Sequence, residues 1–218
     1  MSIITANKPF ETILDALKKS GEKKIFITGC GLCATSCQSG GAPQVAAMKE
    51  KLEAEGFTVT GTAVFESSCN LGKVRADFKK AEGSAEAESI LCMACGEGAQ
   101  TLAQVAKRPV HPANDSLFIG QTQRIGHFHE GCSVCGECEL EWTGGVCPMT
   151  ICAKGILNGP CGGAKDGKCE VGGGTKDCAW IKIYTNLKDQ NKLENMDPIR
   201  EPKDYTKQLK PRSLVLGK

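Results

Sequence analysis

KIFITGCGLCATSCQSGG (Lys24–Gly41) reads as a buried strand running into a turn rich in glycine and cysteine. Lys24–Thr28 is a short apolar run of the kind a parallel sheet buries on both faces, and Gly29–Cys30 ends it. The chain beyond it alternates in the same style. Pro43–Glu55 carries an apolar stripe through Val45, Ala46, Met48 and Leu52, and Gly56 supplies a helix stop. Phe57–Phe65 reads as a second strand, Gly72–Lys80 as a helix, Ala87–Met93 as a third strand and Gly98–Lys107 as a helix. Within Arg108–Gly120 a fourth strand is expected around Leu117–Ile119. This β-α-β-α-β-α-β order predicts an α/β domain over residues 22–125, a doubly wound parallel sheet of flavodoxin or Rossmann type. Residues 1–21 read as a strand-poor lead-in followed by an amphipathic helix.

Downstream the rhythm is lost. From Gly126 to Gly174 the chain is rich in Gly and Cys with few apolar residues, so it must fold around metal or not at all. Residues 126–187 are therefore expected to form a Cys/Gly-rich iron–sulfur module with little regular secondary structure, closed by a helix over Trp180–Leu187 that continues toward Glu194. Residues 188–218 carry Pro198, Pro202 and Pro211 with mixed charge, the pattern of an extended tail laid on a partner or of a disordered end.

The 218 residues are 40% hydrophobic but only 5% aromatic, which suggests small cores helped by bound metal. A net charge of +2 gives no general attraction to nucleic acid or membrane. No apolar run approaches membrane-spanning length, and the N-terminus lacks the apolar core and small-residue cleavage site of a signal peptide. A cytoplasmic location is expected. In a reducing compartment, 14 clustered cysteines are metal ligands rather than disulfide partners.

Six of them fall at the ends of the expected strands: Cys30, Cys33 and Cys37 after the first, Cys69 after the second, Cys92 and Cys95 at the third. Ligands of open parallel sheets bind at the carboxyl ends of strands, and neighbouring strands are only ~4.8 Å apart. Cys92, inside its strand, is the one most easily read as an inert core thiol. A thioredoxin-like redox motif would use Cys30 and Cys33 but leave Cys37, Cys69 and Cys95 unexplained. A flavin phosphate in the Ser36–Gly41 loop would be crowded by three thiolates. A four-thiolate site, a [4Fe–4S] cluster, is the better expectation.

The other eight are Cys132, Cys135, Cys138, Cys147, Cys152, Cys161, Cys169 and Cys178. The opening C-x2-C-x2-C with a later Cys-Pro is the ferredoxin manner of gripping a cubane. Eight residues rather than three separate Cys138 from Cys147, so the fourth ligand is open. Two clusters, or one cluster plus zinc, both fit eight thiolates. His127 and His129 are alternative zinc ligands that eight cysteines make unnecessary. Glu130, Glu137, Glu139 and Glu141 around the first loop argue against a nucleic-acid-binding zinc module.

Together, GCGLCATSCQSGG (Gly29–Gly41), ACGEGAQT at Cys95, CSVCGECELEWTGGVCPMTICAKGILNGPCGG (Cys132–Gly163), GKCEV and DCAW resemble the small iron–sulfur subunit of bacterial methylenetetrahydrofolate reductase. This is the type found in acetogens, similar also to the C-terminal extension of some one-chain reductases. The resemblance runs from about residue 22 to 187. It implies two or three metal sites, [4Fe–4S] clusters and one zinc among them, on Cys30, Cys33, Cys37, Cys69 and Cys95 and on all eight later cysteines; Cys92 lies outside the pattern. It further implies a non-catalytic subunit, holding no catalytic residue, that relays electrons from ferredoxin or another redox subunit. The acceptor would be FMN or FAD on a (β/α)8 catalytic partner reducing 5,10-methylenetetrahydrofolate to 5-methyltetrahydrofolate in one-carbon metabolism of the Wood–Ljungdahl type.

Overall fold

The computed structural model describes residues 3–217; Met1, Ser2 and Lys218, the ends of the expected lead-in and tail, lie outside the described residues. The chain forms two compact units, Met1–His129 and Glu130–Lys218.

In the first unit the elements are β1 (Ile3–Asn7), α1 (Phe10–Ser20), β2 (Lys24–Cys30), α2 (Cys33–Ser36), α3 (Ala42–Ala54), β3 (Thr58–Phe65), α4 (Leu71–Lys80), β4 (Ser89–Met93), α5 (Gly96–Ala106), β5 (Val110–Pro112) and β6 (Asn114–Arg124), with β7 (His127–Cys132) crossing the division. A parallel sheet in the order β3-β2-β4-β5 forms its centre. Counted within that sheet the order is second-first-third-fourth, the flavodoxin arrangement. Ile13 and Leu17 of α1 and Val45, Met48 and Leu52 of α3 pack with Ile25, Ile27, Leu91 and Met93 on one face. On the other, Val74 and Phe78 of α4 and Leu102 of α5 pack with Phe26, Phe65 and Ile90. Alternate residues of β2 and β4 thus serve opposite helix layers, which is why both strands read as continuous apolar runs.

Two expectations are corrected. The fourth parallel strand is Val110–Pro112, whereas Leu117–Ile119 belong to β6 and pair antiparallel with β1, Ile3 opposite Ile119 and Ile4 opposite Phe118. Three residues ending in proline give no apolar run to read, while Leu-Phe-Ile gives a strong one. The lead-in is not strand-poor: its β-branched Ile3, Ile4 and Thr5 form an edge strand of the sheet β1-β6-β7.

The second unit contains α6 (Pro148–Ile151), the hairpin β8 (Ala164–Lys165) and β9 (Lys168–Cys169), and α7 (Ala179–Asp189). Its hydrophobic core is Trp180, Ile183 and Leu187 on one face of α7, against the partly buried Val146 and Met196. The expected helix stops at Asp189, and a single 3-10 turn follows at Leu193–Met196. The segment beyond is neither free nor fully extended. It makes a second 3-10 turn at Tyr205–Gln208 and is hydrogen-bonded to its own unit through Arg200, Lys203, Asp204 and Arg212. Among the described residues no helix is long and apolar enough to cross a membrane.

Candidate metal centres

The strand-end cysteines lie at the carboxyl edge of the parallel sheet. Cys30 ends β2 opposite Phe65 at the end of β3, and Gly29 pairs with Met93 at the end of β4. Between β2 and β4 the chain order reverses direction across the sheet, the switch point where open α/β sheets bind ligands. Cys95 caps the start of α5 just beyond β4, and Cys33 and Cys37 bracket the single turn of α2 beyond β2.

The loop between β2 and α3 is folded tightly onto the sheet. Cys30 donates its N–H to the Gly40 carbonyl at 3.0 Å, and Thr35 Oγ1 donates to the Cys30 carbonyl at 2.7 Å. A Cβ at Gly40 would stand 1.7 Å from the Met93 carbonyl oxygen, so only glycine permits this approach. Ser39 is buried against Thr5 Oγ1 at 2.7 Å. The N–H and hydroxyl donors a phosphate cradle would present are therefore used internally.

Donors aimed at sulfur come from two elements. The N–H groups of Ile3 and Thr5 on β1 point at Cys33 Sγ and Cys37 Sγ, each at 3.5 Å. Burial pushes the Cys95 thiol up, the Gly98 and Glu97 N–H groups pull it down, and the neighbouring Cys33 and Cys30 thiols oppose its ionisation. Cys30, Cys33 and Cys95 are thus within electrostatic reach of one another. Cys92 differs: burial raises it to about 11, so it stays a neutral thiol among core residues. Cys69 sits on an exposed turn ahead of α4, its Sγ 3.5 Å from Ser67 Oγ.

The eight cysteines of the second unit separate into two fours. Cys132, Cys135, Cys138 and Cys147 line one cavity of about 290 Å3 together with Val134, Leu140 and Met149. Cys152, Cys161, Cys169 and Cys178 line another of about 20 Å3. The short helix α6 joins them, with Cys147 at its N-cap and Cys152 at its C-cap. A helix of that length spans only ~6 Å, so the two sets are neighbours. The smaller set is held by backbone pairing: Cys169 N–H to the Lys176 carbonyl at 2.8 Å and Cys178 N–H to the Gly167 carbonyl at 2.9 Å. Lys154 Nζ lies 3.8 Å from Cys161 Sγ and pairs with Glu170.

The larger set is carried on a strained loop. Val134 has φ +53°, a left-handed conformation costly for a β-branched residue, and Gly136 has φ +83°. The Val134 N–H donates to Cys132 Sγ at 3.3 Å, and the Cys135 thiol donates to the Glu137 carbonyl at 3.3 Å. Four thiols lining one volume, with the Val134 N–H on one sulfur, fit the donor chemistry of a tetrathiolate cluster or ion. Among the described residues no three His, Cys, Asp or Glu side chains converge closely enough to grip a metal as they stand. His127 and His129, on β7, line neither cavity.

Sequence reading placed Glu137 and Glu139 around the larger set but missed the cations that pair with them. Glu139 is buried and pairs with Arg200 at 2.9 Å and Lys203 at 3.5 Å, and Arg200 stacks on Trp142 with its guanidinium carbon 4.6 Å from the ring centroid. Glu137 is held below the usual carboxylate range by the Asp204 N–H and by Lys207. The only sequence signal was mixed charge between prolines.

Residues 111–206 match a family model. Its description is Methylene-tetrahydrofolate reductase C terminal. That part of the chain is therefore related to methylenetetrahydrofolate reductase; it contains both four-cysteine sets and Arg200 and Lys203, and excludes the strand-end set. A search of curated proteins finds no match.

Proposed function

We propose that the chain is the iron–sulfur, electron-transferring subunit of a bacterial, acetogen-type methylenetetrahydrofolate reductase. It receives electrons from ferredoxin or another redox subunit and delivers them to the FMN or FAD of a (β/α)8 catalytic partner that reduces 5,10-methylenetetrahydrofolate. The observation that carries this reading is the sorting of eight cysteines into two adjacent four-cysteine cavities inside the segment related to the reductase.

Cys132, Cys135, Cys138 and Cys147 would hold one [4Fe–4S] cluster, and Cys30, Cys33, Cys37 and Cys95, with Cys69 as a further candidate, another. Such clusters supply one-electron chemistry, so a flavin is needed to gather the two electrons of a methylene reduction. The chain's own part is to supply the thiolates and direct N–H groups at sulfur.

A second reading applies to Cys152, Cys161, Cys169 and Cys178. A volume of about 20 Å3 accommodates roughly one water-sized body, which favours a single zinc ion over an eight-atom cubane. If zinc occupied every site, the subunit would be structural or regulatory. Anaerobic analysis of iron, sulfide and zinc, with electron paramagnetic resonance (EPR) of the reduced protein, separates the readings. Iron with equal sulfide and a brown colour is expected; a colourless zinc protein would leave only the structural role.

A further inference from the structure

The segment after α7 lies over the loop that carries Cys132, Cys135 and Cys138. Arg212 donates to the Val134 carbonyl at 2.7 Å, holding the strained residue between two of the cysteines. Lys207 packs on Gly136, where an added Cβ would meet the Lys207 Cβ at 2.9 Å. The Asp204 N–H reaches Glu137 Oε2 at 2.9 Å, and Lys203 Nζ donates to the Glu137 carbonyl. That carbonyl also accepts the Cys135 thiol at 3.3 Å, so the ammonium and the sulfur share one acceptor.

Lys203 is unusual in being enclosed: its side chain is 1% exposed. An ammonium is almost never buried unless paired, because desolvation costs several kcal/mol. Its carboxylate partner, Glu139, is already paired with Arg200. Around this loop the contacts name four cations, Arg200, Lys203, Lys207 and Arg212, and three carboxylates, Glu137, Glu139 and Asp204. Two of these cations, Arg200 and Lys203, share the buried carboxylate of Glu139 beside the four cysteines. Stability alone gives little reason for it, since a buried pair seldom outperforms an apolar one.

We propose that Lys203 is a positioning residue for the Cys132/Cys135/Cys138/Cys147 site, fixing the loop through the Glu137 carbonyl and offsetting the negative charge of the bound cluster. The inference rests on the iron–sulfur reading of that site. A tetrathiolate cluster gains a further negative charge on reduction, and net charge and enclosure are among the factors that set its potential. A cation held out of water next to Cys135 favours the reduced form, so Lys203 makes the site easier to reduce.

The test uses the full chain with Lys203→Met and Lys203→Arg, in redox titrations that follow the EPR signal removed by Cys135→Ala. Methionine keeps the length of the stem, and Arg200 still pairs with Glu139. At the wild-type midpoint potential, Lys203→Met is expected to show about a tenfold lower ratio of reduced to oxidised cluster, equivalent to ~59 mV for one electron. Lys203→Arg is expected to stay within about twofold. Iron lost from Lys203→Met but kept in Lys203→Arg would equally support the assignment, through the loop. An unchanged midpoint and iron content in Lys203→Met, or the same shift or loss of iron in both variants, would overturn it. A wild-type chain without iron would instead sink the reading on which it rests.

Discussion

Only two residues separate Cys92 from Cys95, yet their environments differ. Cys92 is enclosed between the sheet and α4 and α5 with Phe26, Ile90 and Leu102, while Cys95 meets the N–H groups that open α5 and faces Cys30 and Cys33. Cys95→Ser is expected to remove one cluster's worth of iron, and Cys92→Ser to leave iron unchanged while costing about 1–2 kcal/mol of stability, read by metal analysis and denaturant unfolding. Cys92 also gives a pH signature. Its proton is held to about 11 in the folded chain against 9.0 for an ordinary thiol. Its stabilising contribution is therefore complete below about pH 9 and is lost as pH rises toward about 11. Relative to Cys92→Ala, the wild type should lose on the order of 2 kcal/mol across that interval. Sequence reading could separate these two thiols because a strand interior and a strand end differ in pattern. It could not find Lys203, since a buried lysine looks like an exposed one until its surroundings are known.

At the scale of elements, what was legible depended on whether an element carries its own pattern. β2, β3, β4 and the helices between them have apolar runs or stripes, and the structure places them as expected. β5 has no such run; it is a strand because β4 offers it an edge, with Ile90 opposite Val110. β1 and β6 pair across more than a hundred residues, and nothing local announces that partnership. The same limit applies to Cys132, Cys135 and Cys138: spacing left the proposed fourth ligand open, and Cys147 lines the same cavity as those three. The β2–α3 loop yields a direct test of close packing. Gly40→Ala should cost about 3 kcal/mol or more, because a Cβ there overlaps the Met93 carbonyl and β2, β4 or the loop must shift. Thermal unfolding of the first unit would register it, and a cost below about 1 kcal/mol would show that the loop is not seated on the sheet.

Across the whole molecule the two units differ in how they are held together. The first has two apolar layers on a central sheet, whereas the core of the second is, among the described residues, a small cluster of Trp180, Ile183 and Leu187 on α7. So small a core does little to offset the entropy of ordering its loops, and on the proposed function bound metal supplies the difference. Stripping metal with chelator and oxidant should expose residues 130–190 to protease while residues 3–129 stay comparatively resistant. Equal resistance would count against the metal-dependent fold. In the proposed function, electrons leave this chain for a flavin. To test it, the dithionite-reduced chain, freed of excess reductant, is mixed anaerobically with a flavoprotein of the methylenetetrahydrofolate reductase type while flavin absorbance is followed. Prompt bleaching that disappears when Cys132 and Cys135 are changed to Ala is the predicted result, and a flavin that stays oxidised although the complex forms would contradict it.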